Sequence, residues 1–239
     1  MAETKFQNIF QTLKENVIHN VYKDHMLPSE HQLIEEFHCS RATIRRAIGE
    51  LIKNGYAQSI KGKGVILLEP LTNQPNVILD LHNFSGISAI STTQDHQAQT
   101  KVLSFQKILI DEEISKQTNL PEDQYAYYIE RLRIIDNHPW VLDIHYFLCD
   151  AVTDLTPEIA EQSIYSYIEK TLNKKIIAAR RIITIKKASE QDKKYLNIDT
   201  YDCTGVILSD AYLENGKLFE HTETHYAPNH FAFVEFVQR

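Results

Sequence analysis

The sequence predicts an α+β protein in two parts. A small helical head closed by a short hairpin comes first, then a larger antiparallel sheet with helices set among its strands. Three observations carry this. Over residues 5–54 the apolar positions recur at intervals of three and four, the helical period. Beyond residue 76 they mostly alternate, in runs rich in Val, Ile, Tyr and Phe. Between the two lies Glu69-Pro70-Leu71-Thr72-Asn73-Gln74-Pro75-Asn76, a polar stretch with two prolines. The expected division is a head at 1–69, a linker at 70–77 and a second domain at 78–239.

Residues 5–20 place Phe6, Ile9, Phe10, Leu13, Val17 and Ile18 on one helical face, which reads as a packing helix. Pro28-Ser29-Glu30 opens a second helix. Pro28 sets an extended entry, and Ser29 caps the free N–H groups of the first turn. Leu33, Ile34 and Phe37 form its buried side. His38-Cys39-Ser40 is a three-residue break, and Ser40 caps a third helix over 41–54. Ile44, Ala47, Ile48, Leu51 and Ile52 turn inward there, while Arg41, Thr43, Arg45 and Arg46 turn outward. Gly55 follows as the stop, where a left-handed backbone is easiest for glycine. Short strands at 57–60 and 65–68 flank Lys61-Gly62-Lys63-Gly64, a tight turn with two lysines at its tip.

Helix, short turn and basic helix form a helix-turn-helix spacing. The N-terminal part of the second helix of such a pair lies in the DNA major groove. Arginine suits a bidentate contact with guanine, and threonine meets a thymine methyl or a hydroxyl-accepting edge. Taken alone, exposed arginines are more often a solvated face, and a lysine-rich turn more often a solubilising one. A basic hairpin directly after a basic helix makes the pair a winged helix, whose wing reaches a phosphate or the adjacent groove. The candidate DNA-binding residues are Ser29, Glu30, Ser40, Arg41, Thr43, Arg45, Arg46, Lys61, Gly62 and Lys63.

The net charge of −7 argues against nucleic acid only if it is evenly spread. Residues 1–70 hold 9 Lys/Arg against 8 Asp/Glu, whereas residues 71–239 hold 16 against 24. The acidity belongs to the second domain, and a DNA contact needs only a local basic surface. No apolar run reaches membrane-spanning length, and MAETKFQNIF lacks a signal-peptide pattern. Cys39, Cys149 and Cys203 are scattered outside any CxxC spacing, which predicts a reducing cytoplasm without a disulfide framework or a structural zinc.

In the second domain, strands are expected at 101–110, 125–135, 140–148, 176–187, 204–214, 217–227 and 231–237. Asn137-His138-Pro139 reads as one turn, and Glu214-Asn215-Gly216-Lys217 as the strongest hairpin signal. Helices are expected near 111–118, from Thr156-Pro157, over 163–172 and from Ser189-Glu190-Gln191-Asp192, whose spacing suits a capping box. Residues 86–100 read as a short helix and a mobile loop.

Period-two geometry puts Arg131 with Arg133, Asp143 with His145, and His221 with Glu223 and His225 on common strand faces. On the wet side of a sheet these are ordinary solvated surface. If they converge, they make a cavity for an anionic, hydroxyl-rich small molecule, with guanidiniums for phosphate and carboxylates for sugar hydroxyls. Ser163 at a helix start and Tyr165 beside it fit a phosphate, although a plain N-cap is the commoner use of such a serine. Asn83-Phe84-Ser85-Gly86 offers a second exposed-backbone turn. His221-x-Glu223-x-His225, with His145, is a weaker rival reading as a metal site. No nucleophile–base motif or phosphate-binding glycine loop points to an enzyme, and no cofactor is implied.

LPSE, SRATIRRAIGELIKNGY and KGKG, over residues 5–68, resemble the winged helix of the GntR family of bacterial transcription regulators. His31 departs from it, standing where some members carry arginine after the glutamate. Residues 78–239 resemble the ligand-sensing (UTRA) domain of the HutC branch of that family, a fold similar to chorismate lyase. That likeness rests on FSG at 84–86, RLR at 131–133, SIYSYIE at 163–169 and TETHY…FAFV at 222–234. It implies a homodimeric repressor on operator DNA, with Phe84, Ser85, Arg131, Arg133, Asp143, Ser163, Tyr165 and Glu223 around a sugar-phosphate effector. Asp143 is the shorter acid where several relatives have Glu. Within the branch, EQSIYSYIE and HTETHY…FVEF resemble the regulators of trehalose operons, which implies trehalose 6-phosphate. Another sugar phosphate, such as an amino-sugar phosphate, is the alternative.

Overall fold

The computed structural model describes residues 5–69, 98–198 and 200–232. The chain divides into two compact units, each taken by itself.

In the first unit, α1 spans Lys5–Ile18, α2 Glu30–Phe37 and α3 Arg41–Lys53, followed by strands β1 (Ala57–Ile60) and β2 (Gly64–Leu67). The helical period sorts the side chains. Ile9, Leu13 and Val17 of α1 meet Leu33 of α2 and Ile44, Ala47, Ile48 and Leu51 of α3 in one core. Ile18, expected on that face, is 42% exposed, because it lies at the last residue of α1. Beyond α3, Gly55 takes φ +76° and its N–H reaches the Ile52 carbonyl at 3.1 Å, closing the helix. β1 and β2 pair antiparallel, and Leu27 donates to the Val65 carbonyl at 2.9 Å, which ties the wing to the segment before α2.

The second unit is an antiparallel sheet of six strands in the order β3-β4-β5-β8-β7-β6. The strands are β3 (Ala98–Leu109), β4 (Tyr125–Ile135), β5 (His138–Leu148), β6 (Ile176–Lys187), β7 (Cys203–Leu213) and β8 (Leu218–Tyr226). Between them run α4 (Glu112–Thr118), α5 (Pro157–Ala160), α6 (Ile164–Lys170) and α7 (Glu190–Tyr195). One face packs Ile129, Phe147, Ala211 and Phe219 against Ile164 and Ile168 of α6. The other packs Leu132 and Leu142 against Ala188, Leu196 and Ile198 around α7. Every cross-strand pair shares a face, so register decides which polar residues meet.

Three expectations are corrected. Residues 98–100, assigned to a loop, begin β3 and pair with β4. The β4–β5 turn is Asp136-Asn137, not Asn137-His138-Pro139. Both residues have positive φ, 49° and 63°, which Asp and Asn tolerate and proline cannot adopt. Pro139 instead lies inside β5, opposite Ile134 at an irregularity in the pairing. Finally, a short 3₁₀ turn at Pro228–His230 follows β8. Phe231 and Ala232 are not in a strand, and the rest of 231–237 lies outside the described residues. So do the expected linker at 70–77, the turn holding Phe84 and Ser85, and the short helix and loop expected over 86–97.

Candidate functional site

In the helical unit the two cap serines are occupied locally. The Ser29 hydroxyl accepts the Gln32 N–H at 3.3 Å, and the Gln32 side chain accepts the Ser29 N–H at 2.9 Å, a complete capping box. The Ser40 hydroxyl accepts the Thr43 N–H at 3.2 Å and lies 2.8 Å from the Thr43 hydroxyl. This places Glu30 as the first residue of α2, where its carboxylate spans two arginines of α3. Arg41 Nε donates to Oε2 at 2.6 Å and Arg45 Nε to Oε1 at 2.9 Å. These bonds, Arg41 first, hold the Glu30 carboxyl below the usual carboxylate range. Arg46 is not part of this group: its guanidinium lies 3.8 Å from the Phe6 ring centre on α1. Lys61, Gly62 and Lys63 form the exposed wing tip, with Gly62 at φ +78°.

In the sheet unit the register brings Arg131 and Arg133 of β4 beside Asp143 and His145 of β5, and these beside Thr224 and Thr222 of β8. Arg133 Nε donates to Asp143 Oδ2 at 2.7 Å, and its Nη1 to the Thr100 hydroxyl at 2.7 Å. Arg131 donates from Nη2 and Nε to His145 Nε2 at 2.6 and 3.1 Å, and from Nη1 to the Ala160 carbonyl at 3.2 Å. Arginine has donors only, so His145 Nε2 accepts and the ring proton sits on Nδ1. Nδ1 faces the Thr222 hydroxyl at 2.9 Å and Glu220 Oε1 at 3.1 Å. The Tyr165 hydroxyl donates to the other Glu220 oxygen at 2.5 Å.

Arg131 and Asp143 are each only 4% exposed, and water therefore screens them little. Burial pushes the Arg131 guanidinium pKa down, and the second guanidinium adds to this. Burial raises the Asp143 pKa, but the guanidiniums of Arg133 and Arg131 outweigh it and leave the carboxyl well below its usual range. Burial and Glu220 both push the Tyr165 hydroxyl pKa up, so it remains a donor. The site thus offers two fixed guanidiniums, a phenol and a carboxylate cluster on one face. That set can take an anion and, next to it, hydroxyl groups.

One proposed member falls elsewhere, and another is engaged locally. Glu223 pairs in register with Ile144 and Leu208, so it lies on the opposite face from Asp143. There it accepts from Lys186 Nζ at 2.6 Å and lies 3.4 Å from His225 Nε2. Ser163 is exposed, and its hydroxyl accepts the Ser166 N–H at 3.2 Å as an N-cap. The metal reading also comes apart. His145 is on the arginine face, whereas His221 is taken by Asp210 at 2.7 Å and His225 by Asp192 at 2.9 Å on the other. Sequence reasoning missed Glu220 and Thr222 and left His145 outside the site. Its one signal was that Asp143 and His145 share a parity.

Comparison with known proteins identifies the family of each unit. Residues 5–67 match the model of bacterial regulatory proteins of the gntR family, and residues 93–232 match the UTRA domain. The transcriptional regulator TreR of Bacillus subtilis is 32% identical over the whole of this chain and 99% of its own length. The chain belongs to the GntR family, with a UTRA domain. The effector-binding domain of the B. subtilis trehalose repressor superposes on 59% of this chain and 98% of that domain, at TM-score 0.54 and 34% identity. The repressor MngR of Escherichia coli is 23% identical over 98% of this chain and 96% of its own. The crystal structure of YydK from B. subtilis, 21% identical, has the same fold over 99% of this chain and 100% of that one, at TM-score 0.77. As a GntR-family regulator the chain binds DNA through its helix-turn-helix unit and takes a small-molecule effector in its UTRA domain. Its relatives are named as transcriptional regulators and not as enzymes. Among the described residues no helix is long and apolar enough to cross a membrane.

Proposed function

We propose that this regulator is a cytoplasmic, homodimeric repressor of a sugar-utilisation operon, that of trehalose, released from its operator by trehalose 6-phosphate. The observation that carries the effector class is the pair of guanidiniums held side by side on one sheet face, Arg133 by Asp143 at 2.7 Å and Arg131 by His145. Arg131 and Arg133 take the phosphate. Tyr165, Glu220 and Thr222 take sugar hydroxyls, the part expected of Glu223. Asp143 holds the arginines, because its carboxylate is already engaged by Arg133. Ser163 caps α6 beside the phosphate, and Phe84 and Ser85 close the set. The sugar itself is proposed from the likeness to TreR.

The dimer is proposed on β6, an edge strand carrying Ile177, Ile182, Ile183 and Ile185 at 53, 54, 38 and 69% exposure. An exposed apolar edge is a template for pairing with another chain, and a second copy satisfies it. On this reading α3 of each protomer enters the major groove of one half of a two-fold operator, with Arg41, Thr43 and Arg45 on the bases and Lys61 and Lys63 on the backbone. The effector acts by binding the DNA-free dimer geometry more tightly than the DNA-bound one.

A thermal-shift series tests the effector. At saturating ligand, trehalose 6-phosphate is expected to raise the melting temperature by several degrees. Trehalose, glucosamine 6-phosphate and inorganic phosphate should do much less. A larger shift with glucosamine 6-phosphate would replace the trehalose reading with the amino-sugar one. A shift with trehalose equal to that with its phosphate would remove the arginines' role.

A further inference from the structure

The contact between Glu30 and the two arginines sits at the start of both helices of the helix-turn-helix, and both arginines use the same atom in it. Arg41 and Arg45 each donate Nε to a separate Glu30 oxygen, at 2.6 and 2.9 Å. Their Nη1 and Nη2 groups are not used by Glu30, and this end of the guanidinium supplies two parallel N–H donors. Guanine O6 and N7 accept such a pair. The carboxylate therefore decides which edge each arginine presents.

The carboxylate is itself held in place. The Ser29–Gln32 capping box sets the backbone from which Glu30 projects, and its side chain is 31% exposed. Arg41 and Arg45 are one helical turn apart, about 6 Å along α3, close to two base-pair steps. The third arginine, Arg46, is parked on Phe6 and takes no part. Electrostatics adds a second consequence. Glu30 reduces the charge of this group from +2 to +1, so the head attracts any duplex less strongly.

We infer that Glu30 is the positioning residue that gives this head its sequence discrimination. It presents Arg41 and Arg45 end-on to two guanines about two base pairs apart, and it suppresses sequence-independent attraction to DNA. The inference rests on the proposed reading of α3 as the helix in the major groove.

The test uses the full chain and a pool of randomised 30-base-pair duplexes. The duplex that wild-type protein enriches and a shuffled duplex of the same composition are then titrated by fluorescence anisotropy at two salt concentrations. Glu30→Gln is expected to bind the shuffled duplex about threefold to tenfold more tightly and to steepen its salt dependence by about one unit of log–log slope. Its discrimination between the duplexes should fall at least about tenfold, the loss of one oriented guanine contact. Glu30→Asp keeps the charge but is too short to span both arginines. It should bind the shuffled duplex as wild type does, yet still lose discrimination. Circular dichroism matched to wild type confirms that each variant is folded. Discrimination by Glu30→Gln within twofold of wild type, while Arg41→Ala and Arg45→Ala lose it, overturns the inference alone. If both arginine variants keep full discrimination, the reading of α3 falls with it.

Discussion

Gly205 marks the point in the second domain where a single methyl group does not fit. A Cβ built there would lie 2.2 Å from the Phe231 ring, which packs on Tyr226 at a ring separation of 5.5 Å. Gly205 and Tyr226 face each other across β7 and β8, on the arginine face of the sheet. Phe231 therefore seats after β8 only because residue 205 has no side chain. Gly205→Ala should cost about 1–3 kcal/mol in urea unfolding, the range for overpacking. Adding Phe231→Ala should recover part of that cost, because the two residues share one space. If the two costs simply add, the contact is not what makes glycine necessary. The same economy of placement explains Asp143. At a sequence position that suggests a sugar contact, it is buried against two guanidiniums, and on the proposed reading it orients them.

Among the elements of the second domain, α7 is fastened by charge. Asp192 is fully buried and lies 2.9 Å from His225 Nδ1, Glu223 lies 3.4 Å from His225 Nε2, and Gln191 donates to Glu130 at 2.8 Å. Burial lowers the His225 pKa, but Asp192 and Glu223 outweigh it and raise the value to about 9. Glu223 is held down at about 2, by His225 first and Lys186 after burial, and Asp192 is lowered as well. A histidine with a folded pKa above its unfolded one contributes stability fully below about pH 6.5 and loses it as pH rises through 9. The two carboxylates contribute above about pH 4.5 and lose their share as pH falls toward 2. The clasp is therefore tightest between roughly pH 4.5 and 6.5. Urea unfolding should show stability declining by up to about 3 kcal/mol from pH 6.5 to 9, and His225→Gln should flatten that decline. An equal decline in wild type and variant would show that another group titrates.

For the molecule as a whole, binding DNA and binding the effector belong to different units, so a substitution can separate them. Arg133→Ala is expected to bind operator within about twofold of wild type in anisotropy titrations, yet to resist release by trehalose 6-phosphate. Loss of a charge-assisted contact to phosphate should weaken the effector at least about a hundredfold. Removing Arg133 alone leaves Asp143 buried with Arg131 at 3.9 Å as its remaining guanidinium, which threatens the fold. Arg133→Gln with Asp143→Asn keeps the site neutral and should show the same insensitivity. Normal release in both variants would place the effector elsewhere.

Sequence alone determined whatever depends on neighbours along the chain. Capping serines, helical faces, the Gly55 stop, the glycine-bearing wing and the Asn215-Gly216 hairpin are local choices of backbone conformation, and each is legible within a few residues. The clustering of Arg131 with Arg133 was legible for the same reason, since alternation alone puts them on one face. Tertiary structure decided what depends on register. Glu220, Thr222, Glu223 and His225 lie on one strand with polar residues at both parities, so composition cannot say which parity meets the arginines. The pairing of β8 with β5 chose Thr222 and Glu220, and turned Glu223 toward Lys186. The pairing of Glu30 with Arg41 and Arg45, across eleven and fifteen residues, likewise arises only when α2 packs on α3. A one-residue shift of register exchanges every side chain between faces, and nothing local to the strand records which of the two registers holds.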